Sequence, residues 1–285
     1  MIMHGNVKRE ETVLRLGLIA AGAALVVMSG CSEAAPVVES APAVVDARDY
    51  VALGDSYAAG LGGGDYADTS CLQSTDKSYP QLWIDAKGAG ALGETVNKAC
   101  SGAVISTVTS QQLTALTEKT GWVTLTVGGN DVGFVAGLQQ CVLGSDQTCA
   151  QSVKNASGTM ESNLPGALDK LYTQVRAKAP NAKVYVVGYP HLVADPGAGV
   201  ACDSLNDARR KALNAASDTL SEVISTVVAK HPGFTYVDAR VIFAGHEACT
   251  KDPWIHAIAD DMSESFHPNA DGYAAYAKVL HGVTG

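Results

Sequence analysis

Five short runs rich in β-branched and aromatic residues, interleaved with stretches of helical spacing, constrain the fold of this chain most. They fall at residues 50–53 (YVAL), 94–99, 122–127 (WVTLTV), 183–187 (KVYVV) and 234–237 (FTYV). Short apolar runs of this kind read as strands buried on both faces, the pattern of a parallel sheet. Between them, Leu164, Leu168, Leu171 and Val175 recur at helical spacing before Pro180. Leu205, Ala208, Ala212, Ala216, Leu220, Ile224 and Val228 do the same, with Asp203 and Ser204 as candidate caps and Pro232 beyond the end. Such alternation predicts an α/β fold, a three-layer α/β/α sandwich around a five-stranded parallel sheet. No internal repeat or second domain is visible. With 285 residues, 47% of them hydrophobic, the chain can bury a sizeable core without a metal or cofactor.

In such folds ligands bind where loops leave the carboxyl ends of the strands. The first strand runs into Gly54-Asp55-Ser56, the second toward Cys100-Ser101-Gly102, and the third into Gly128-Gly129-Asn130-Asp131. Near the end, Glu264-Ser265-Phe266-His267-Pro268 precedes a terminal helix of small and aromatic residues. Each segment alone is ordinary turn chemistry. Together they supply a Ser, a Gly, an Asn and a His, the set that acyl transfer needs. Ser56 is the candidate nucleophile, and a free hydroxyl needs a base to accept its proton. His267, on a loop-to-helix junction, is the candidate base. His4, His191, His231, His246 and His281 lack an accompanying pattern, and His256 beside Trp254 is a second-choice groove residue. Candidate oxyanion donors are the Ser56 and Gly102 N–H groups and the Asn130 amide. Leu61, Phe134, Val135, Leu138, Trp254, Ile255 and Ile258 are candidates for an acyl groove or for core.

From about Tyr50 to the end, these four blocks in this order resemble the SGNH hydrolase superfamily, also called GDSL esterases and lipases. The six downstream cysteines and the ESFHP block look most like its secreted actinobacterial branch. The resemblance implies strand order 2-1-3-4-5 and serine ester hydrolysis without metal or cofactor. It also marks a departure, because Glu264 stands where the family's last block usually has Asp. The third catalytic group is then either Glu264 or, as in members of that branch, a backbone carbonyl two residues before the histidine, here that of Ser265. If the carbonyl serves, Glu264→Ala leaves most activity. The reaction class is carboxylesterase or lipase; deacetylation of a cell-wall or other polysaccharide and a surface binding module with little turnover are the alternatives. A phosphate-cradling flavodoxin-like binder fits less well, since His267 has no task in it.

The first 30 residues read as an address. Lys8, Arg9 and Arg15 precede an apolar run from Leu16 to Met28, the length of a signal-peptide core. Met28-Ser29-Gly30-Cys31 resembles a lipobox, which makes Cys31 a candidate for lipidation and a membrane anchor. Residues 31–49, rich in Ala, Pro, Ser and Val, read as a flexible tether, with the folded unit at 50–285. The net charge is −9, and the leader carries three basic residues against two acidic ones, so the exported chain is near −10. No block of Lys and Arg appears in it, which argues against nucleic acid as a partner. A monomer acting on acyl esters outside the cell membrane is expected. Setting Cys31 aside leaves six cysteines, an even set suited to an oxidising compartment. The sequential pairing Cys71–Cys100, Cys141–Cys149 and Cys202–Cys249 is expected because each bond then staples one loop region.

Overall fold

The structure, a computed structural model, describes residues 47–67, 69–197, 201–202 and 205–285. The leader, Cys31, all but the last residues of the tether, and the candidate caps Asp203 and Ser204 lie outside the described residues. The sheet contains β1 (Asp49–Gly54), β2 (Thr95–Asn97), β3 (Thr120–Thr126), β4 (Lys183–Val187) and β5 (Phe234–Val237). Every pairing is parallel and the order is β2-β1-β3-β4-β5, as the resemblance implies. Val51 pairs with Val96 on one side and Val123 on the other, so β1 is an interior strand, and it is buried from Tyr50 to Gly54.

The helices are α1 (Ser56–Ala59), α2 (Tyr79–Lys87), α3 (Ile105–Thr107), α4 (Phe134–Leu143), α5 (Asp146–Ser162), α6 (Leu164–Lys178), α7 (Asp207–Val228), α8 (Ala239–Ile242) and α9 (Ala270–Thr284). The chain moves from β1 outward to β2, then returns across β1 to β3 and continues to β5. Right-handed crossovers therefore put α2 on one face and α4 to α7 on the other. On the first face α2 meets α9, where the Tyr79 and Tyr276 rings lie 5.5 Å apart and Trp83 Nε1 donates to Thr284 Oγ1 at 3.0 Å. The α7 helix starts two residues later than its apolar pattern suggests. Asn206, whose side chain accepts from the Arg209 N–H at 3.0 Å, is the residue that caps it.

The direction of crossing reverses between β1 and β3, and the crevice at such a reversal is where open α/β sheets bind ligands. Gly54 ends β1 there with φ +133°, and a Cβ on it would lie 2.1 Å from the Thr126 carbonyl oxygen of β3. Only glycine fits so close an approach. The buried Gln112 side chain accepts from the Gly54 N–H at 2.7 Å and donates to its carbonyl at 2.9 Å. This pair fixes the backbone immediately ahead of Ser56. Of three disulfides, Cys71–Cys100 and Cys202–Cys249 tie loops, whereas Cys141–Cys149 joins α4 to α5 across the turn between them instead of stapling a loop.

Candidate active site

Ser56 opens α1 directly after β1, with Asp55 as the capping residue. The Asp55 carboxylate accepts from the Tyr57 N–H at 3.0 Å and from the Tyr189 hydroxyl at 2.5 Å. Burial pushes its pKa up to about 7, against the pull of those two donors. Tyr189 in turn accepts from the Gly129 N–H at 3.2 Å, so one buried chain links the loops after β1 and β3.

His267 reaches Ser56 from the opposite end of the chain. Its Nε2 lies 2.8 Å from Ser56 Oγ, and its Nδ1 lies 3.1 Å from the Ser265 carbonyl oxygen. A carbonyl can only accept, so Nδ1 carries the proton and Nε2 is left as the acceptor for the serine O–H. Glu264 does not reach the imidazole. Its carboxylate accepts instead from the Tyr66 hydroxyl, and of the two alternatives for the third group the geometry favours the Ser265 carbonyl.

The His267 pKa is pushed down to about 4, chiefly by burial, opposed by the Ser265 carbonyl and assisted by nearby His256. The neutral, proton-accepting form is therefore the one present at neutral pH. Protonation on acidification blocks acceptance from Ser56, so kcat/KM on a soluble ester is expected to stay level from pH 8 to about pH 5. It should then fall with an apparent pKa of about 4. A pH–rate profile with its acid limb at the ordinary histidine value of about 6.5 would contradict this.

Beside the Ser–His pair stand the other two loops. Gly102 has φ +78°, a Cβ there would meet nothing within 4 Å, and it is not among the residues that line the cleft around Ser56. The Asn130 Nδ2 donates one proton to the Ala103 carbonyl at 3.0 Å. A primary amide has two such protons, and Asn130 also lines the cleft around Ser56. Asp131 accepts from the Ile105 N–H at 3.0 and 3.1 Å, stitching the loop after β2 to the loop after β3. Cys71–Cys100 and the Ser101 N–H bond to the Cys71 carbonyl at 2.9 Å fix the same loop from outside.

A cleft of about 350 Å³ opens onto Ser56 and His267, within the size range of ligand pockets. Its apolar walls include Phe134, Leu138 and Val142 of α4, together with Leu192 and Leu220. Val135 and Ile258 stand at its edge, half exposed. Leu61, Trp254 and Ile255 do not line it. Leu61 and Ile255 are buried behind the histidine loop, where Ile255 pairs with Pro268, and Trp254 stacks on His246. His256 does not line it either, since its Nε2 is bonded to the Gly62 carbonyl at 2.8 Å. Tyr57 is a site residue that no motif announced. Its hydroxyl donates to the Phe266 carbonyl at 2.7 Å and its ring lies 5.1 Å from that of His267. Its place next to the candidate nucleophile was the available signal. Among the described residues, no group of three His, Cys, Asp or Glu side chains is arranged to hold a metal ion.

Comparison with known proteins identifies a matching family and similar structures. The GDSL-like Lipase/Acylhydrolase family matches residues 52–275. Lipase 1 of Streptomyces coelicolor is 41% identical over 270 residues, covering 93% of this chain and 95% of that protein. The crystal structure of phospholipase A1 from Streptomyces albidoflavus NA297 superposes with a TM-score of 0.77 at 43% identity, covering 83% of this chain and 99% of that one. The extracellular lipase of Streptomyces rimosus gives the same TM-score and coverage at 38% identity.

Proposed function

The chain belongs to the GDSL-like lipase/acylhydrolase family and is a carboxylic ester hydrolase, and on that premise we propose that it cleaves acyl esters of lipids by a Ser56–His267 acyl-enzyme mechanism outside the cell. The observation that carries this is the short line from the Ser265 carbonyl through the His267 imidazole to Ser56 Oγ, at the floor of an apolar cleft. Ser56 Oγ forms a bond to the acyl carbon as its proton passes to His267 Nε2. The carbonyl electron pair moves onto oxygen, where the Ser56 and Gly102 N–H groups and the free Asn130 amide proton receive it. The ester C–O bond then breaks, and His267 returns the proton to the leaving alcohol. Water repeats the sequence on the acyl-serine.

The surface around the cleft supports a lipid rather than a glycan substrate. Leu143 and Met262 are 80% and 60% exposed at its mouth, apolar surface that is costly to leave in water and useful against acyl chains. Relatives named lipase and phospholipase A1 support the same reading. The leader, with Cys31 as a lipidated anchor, supports export and retention at the membrane surface. Among the described residues no helix is long and apolar enough to cross a membrane.

Hydrolysis of p-nitrophenyl esters from acetate to palmitate tests the reading. Each methylene that enters an apolar cleft contributes about 0.8 kcal/mol, or roughly fourfold. We expect kcat/KM to rise by up to that factor per added carbon until the cleft is filled, and then to level off. A maximum at acetate with a steep fall afterwards would favour the deacetylase alternative.

A further inference from the structure

We infer that Glu264 acts through Tyr66 and Gly62 as a positioning residue, clasping the turn that carries the Ser265 carbonyl to the loop that follows Ser56; this rests on the Ser56–His267 reading above. Residues 264–267 form a tight turn in which the His267 N–H donates to the Glu264 carbonyl at 3.0 Å. Ser265 has φ −56° and ψ 132°, and Phe266 has φ 60°. These are the angles of a type II turn, whose third position normally calls for glycine. Within this turn the Ser265 carbonyl lies 3.1 Å from His267 Nδ1.

A bulky side chain at positive φ persists only where the surroundings over-determine it. Phe266 is held on three sides: its N–H donates to the His256 carbonyl at 3.0 Å, its carbonyl accepts from Tyr57, and its ring is buried. The first corner of the turn is held by Glu264. Its carboxylate accepts from the Tyr66 hydroxyl, which itself accepts from the Gly62 N–H at 2.8 Å. Burial, and then the bond to Glu264, push the Tyr66 pKa up to about 12, so the hydroxyl keeps the proton it donates.

Gly62 belongs to the segment that leaves α1. The Gly60 and Leu61 N–H groups donate to the Ser56 carbonyl at 3.0 and 3.1 Å. On its other side the Gly62 carbonyl meets His256 Nε2, and the His256 N–H donates to the His267 carbonyl at 2.9 Å. A Cβ on Gly62 would lie 2.5 Å from the Pro268 carbonyl oxygen and 3.1 Å from the His267 Cβ, so the two loops are in direct backbone contact. The chain of bonds thus closes into a ring with the nucleophile's loop on one side and the base's turn on the other. Glu264 stands where the family usually has its acid, and here that carboxylate steadies the turn whose carbonyl faces the imidazole.

The test compares Glu264→Ala, Glu264→Gln, Tyr66→Phe and the Glu264→Ala/Tyr66→Phe pair with Ser56→Ala and His267→Ala, on p-nitrophenyl butyrate. Circular dichroism and thermal melts establish that each variant is folded. Loosening a catalytic pair by a fraction of an ångström should lower kcat by about tenfold in Glu264→Ala and Tyr66→Phe, with KM within twofold, a larger loss than the carbonyl's role alone predicts for Glu264→Ala and far short of that of His267→Ala. The pair should lose no more than Tyr66→Phe alone, because that change already removes the bond to Glu264 along with the acceptor for the Gly62 N–H, and Glu264→Gln, which retains an acceptor, should recover most of the rate. Unchanged kcat in Glu264→Ala, additive losses in the pair, or a Glu264→Ala loss as deep as that of His267→Ala would each overturn the clasp. Substantial activity left in Ser56→Ala or His267→Ala would instead sink the mechanism on which it rests.

Discussion

Replacing His267 with alanine is expected to lower kcat for soluble ester hydrolysis by about 10⁴- to 10⁶-fold, and Ser56→Ala should match it. The two residues act as one unit. Without the imidazole, Ser56 Oγ has no group within reach to take its proton, and without the hydroxyl the base has nothing to activate. Combining the changes should therefore add almost nothing to either. Ser56 is nearly buried and His267 has its main polar contacts in Ser56 and the Ser265 carbonyl, so the fold should survive both changes. Steady-state kinetics on p-nitrophenyl butyrate, with near-ultraviolet circular dichroism to check packing, decides the matter. A folded His267→Ala protein within tenfold of the unmodified rate would rule out the general-base role.

Asn130→Ala is expected to cost about 10²- to 10³-fold in kcat with little change in KM, the usual effect of removing one oxyanion donor. The ground-state carbonyl oxygen asks less of that amide than the oxyanion does, so the loss should fall on kcat. In the folded protein the side chain makes one hydrogen bond, to the Ala103 carbonyl, at a partly exposed position. Such a bond contributes on the order of 1 kcal/mol, which in a domain of this size moves the melting midpoint by about 2–4 °C. A large drop in melting temperature with a small drop in rate would reassign Asn130 as a structural residue of its loop.

How much of this was legible in the sequence depended on whether the signal was local. Strands β4 and β5 coincide with their apolar runs, since each run is bounded by turn residues. The second strand is only Thr95–Asn97, half the length its composition suggests, an edge strand that pairs with β1 alone. Helices α4 and α5 gave no readable period. Of the seventeen residues of α5 only Cys149, Ala156 and Met160 are buried, so its sequence looks polar throughout. In the site, Ser56, Gly102, Asn130 and His267 were readable because each sits in a short block of turn chemistry; Ser56, Asn130 and His267 line the same cleft, whereas Gly102 is not among its lining residues. The Tyr66–Glu264 bond joins residues 198 apart, and Tyr66 stands in a loop with no periodic pattern. Phe266 was equally opaque, because a left-handed backbone angle ordinarily shows itself as glycine.

The Ser56–His267 contact also spans 211 positions of the chain, with the histidine fixed only where the last helix begins. That helix is seated by Tyr273 and Tyr276 in the core and by its final turn against Trp83. If His267 is the base, hydrolysis therefore depends on the fifteen-residue helix Ala270–Thr284 being seated. On the proposed mechanism, a chain that stops short of this helix holds the nucleophile without a seated base and is inactive.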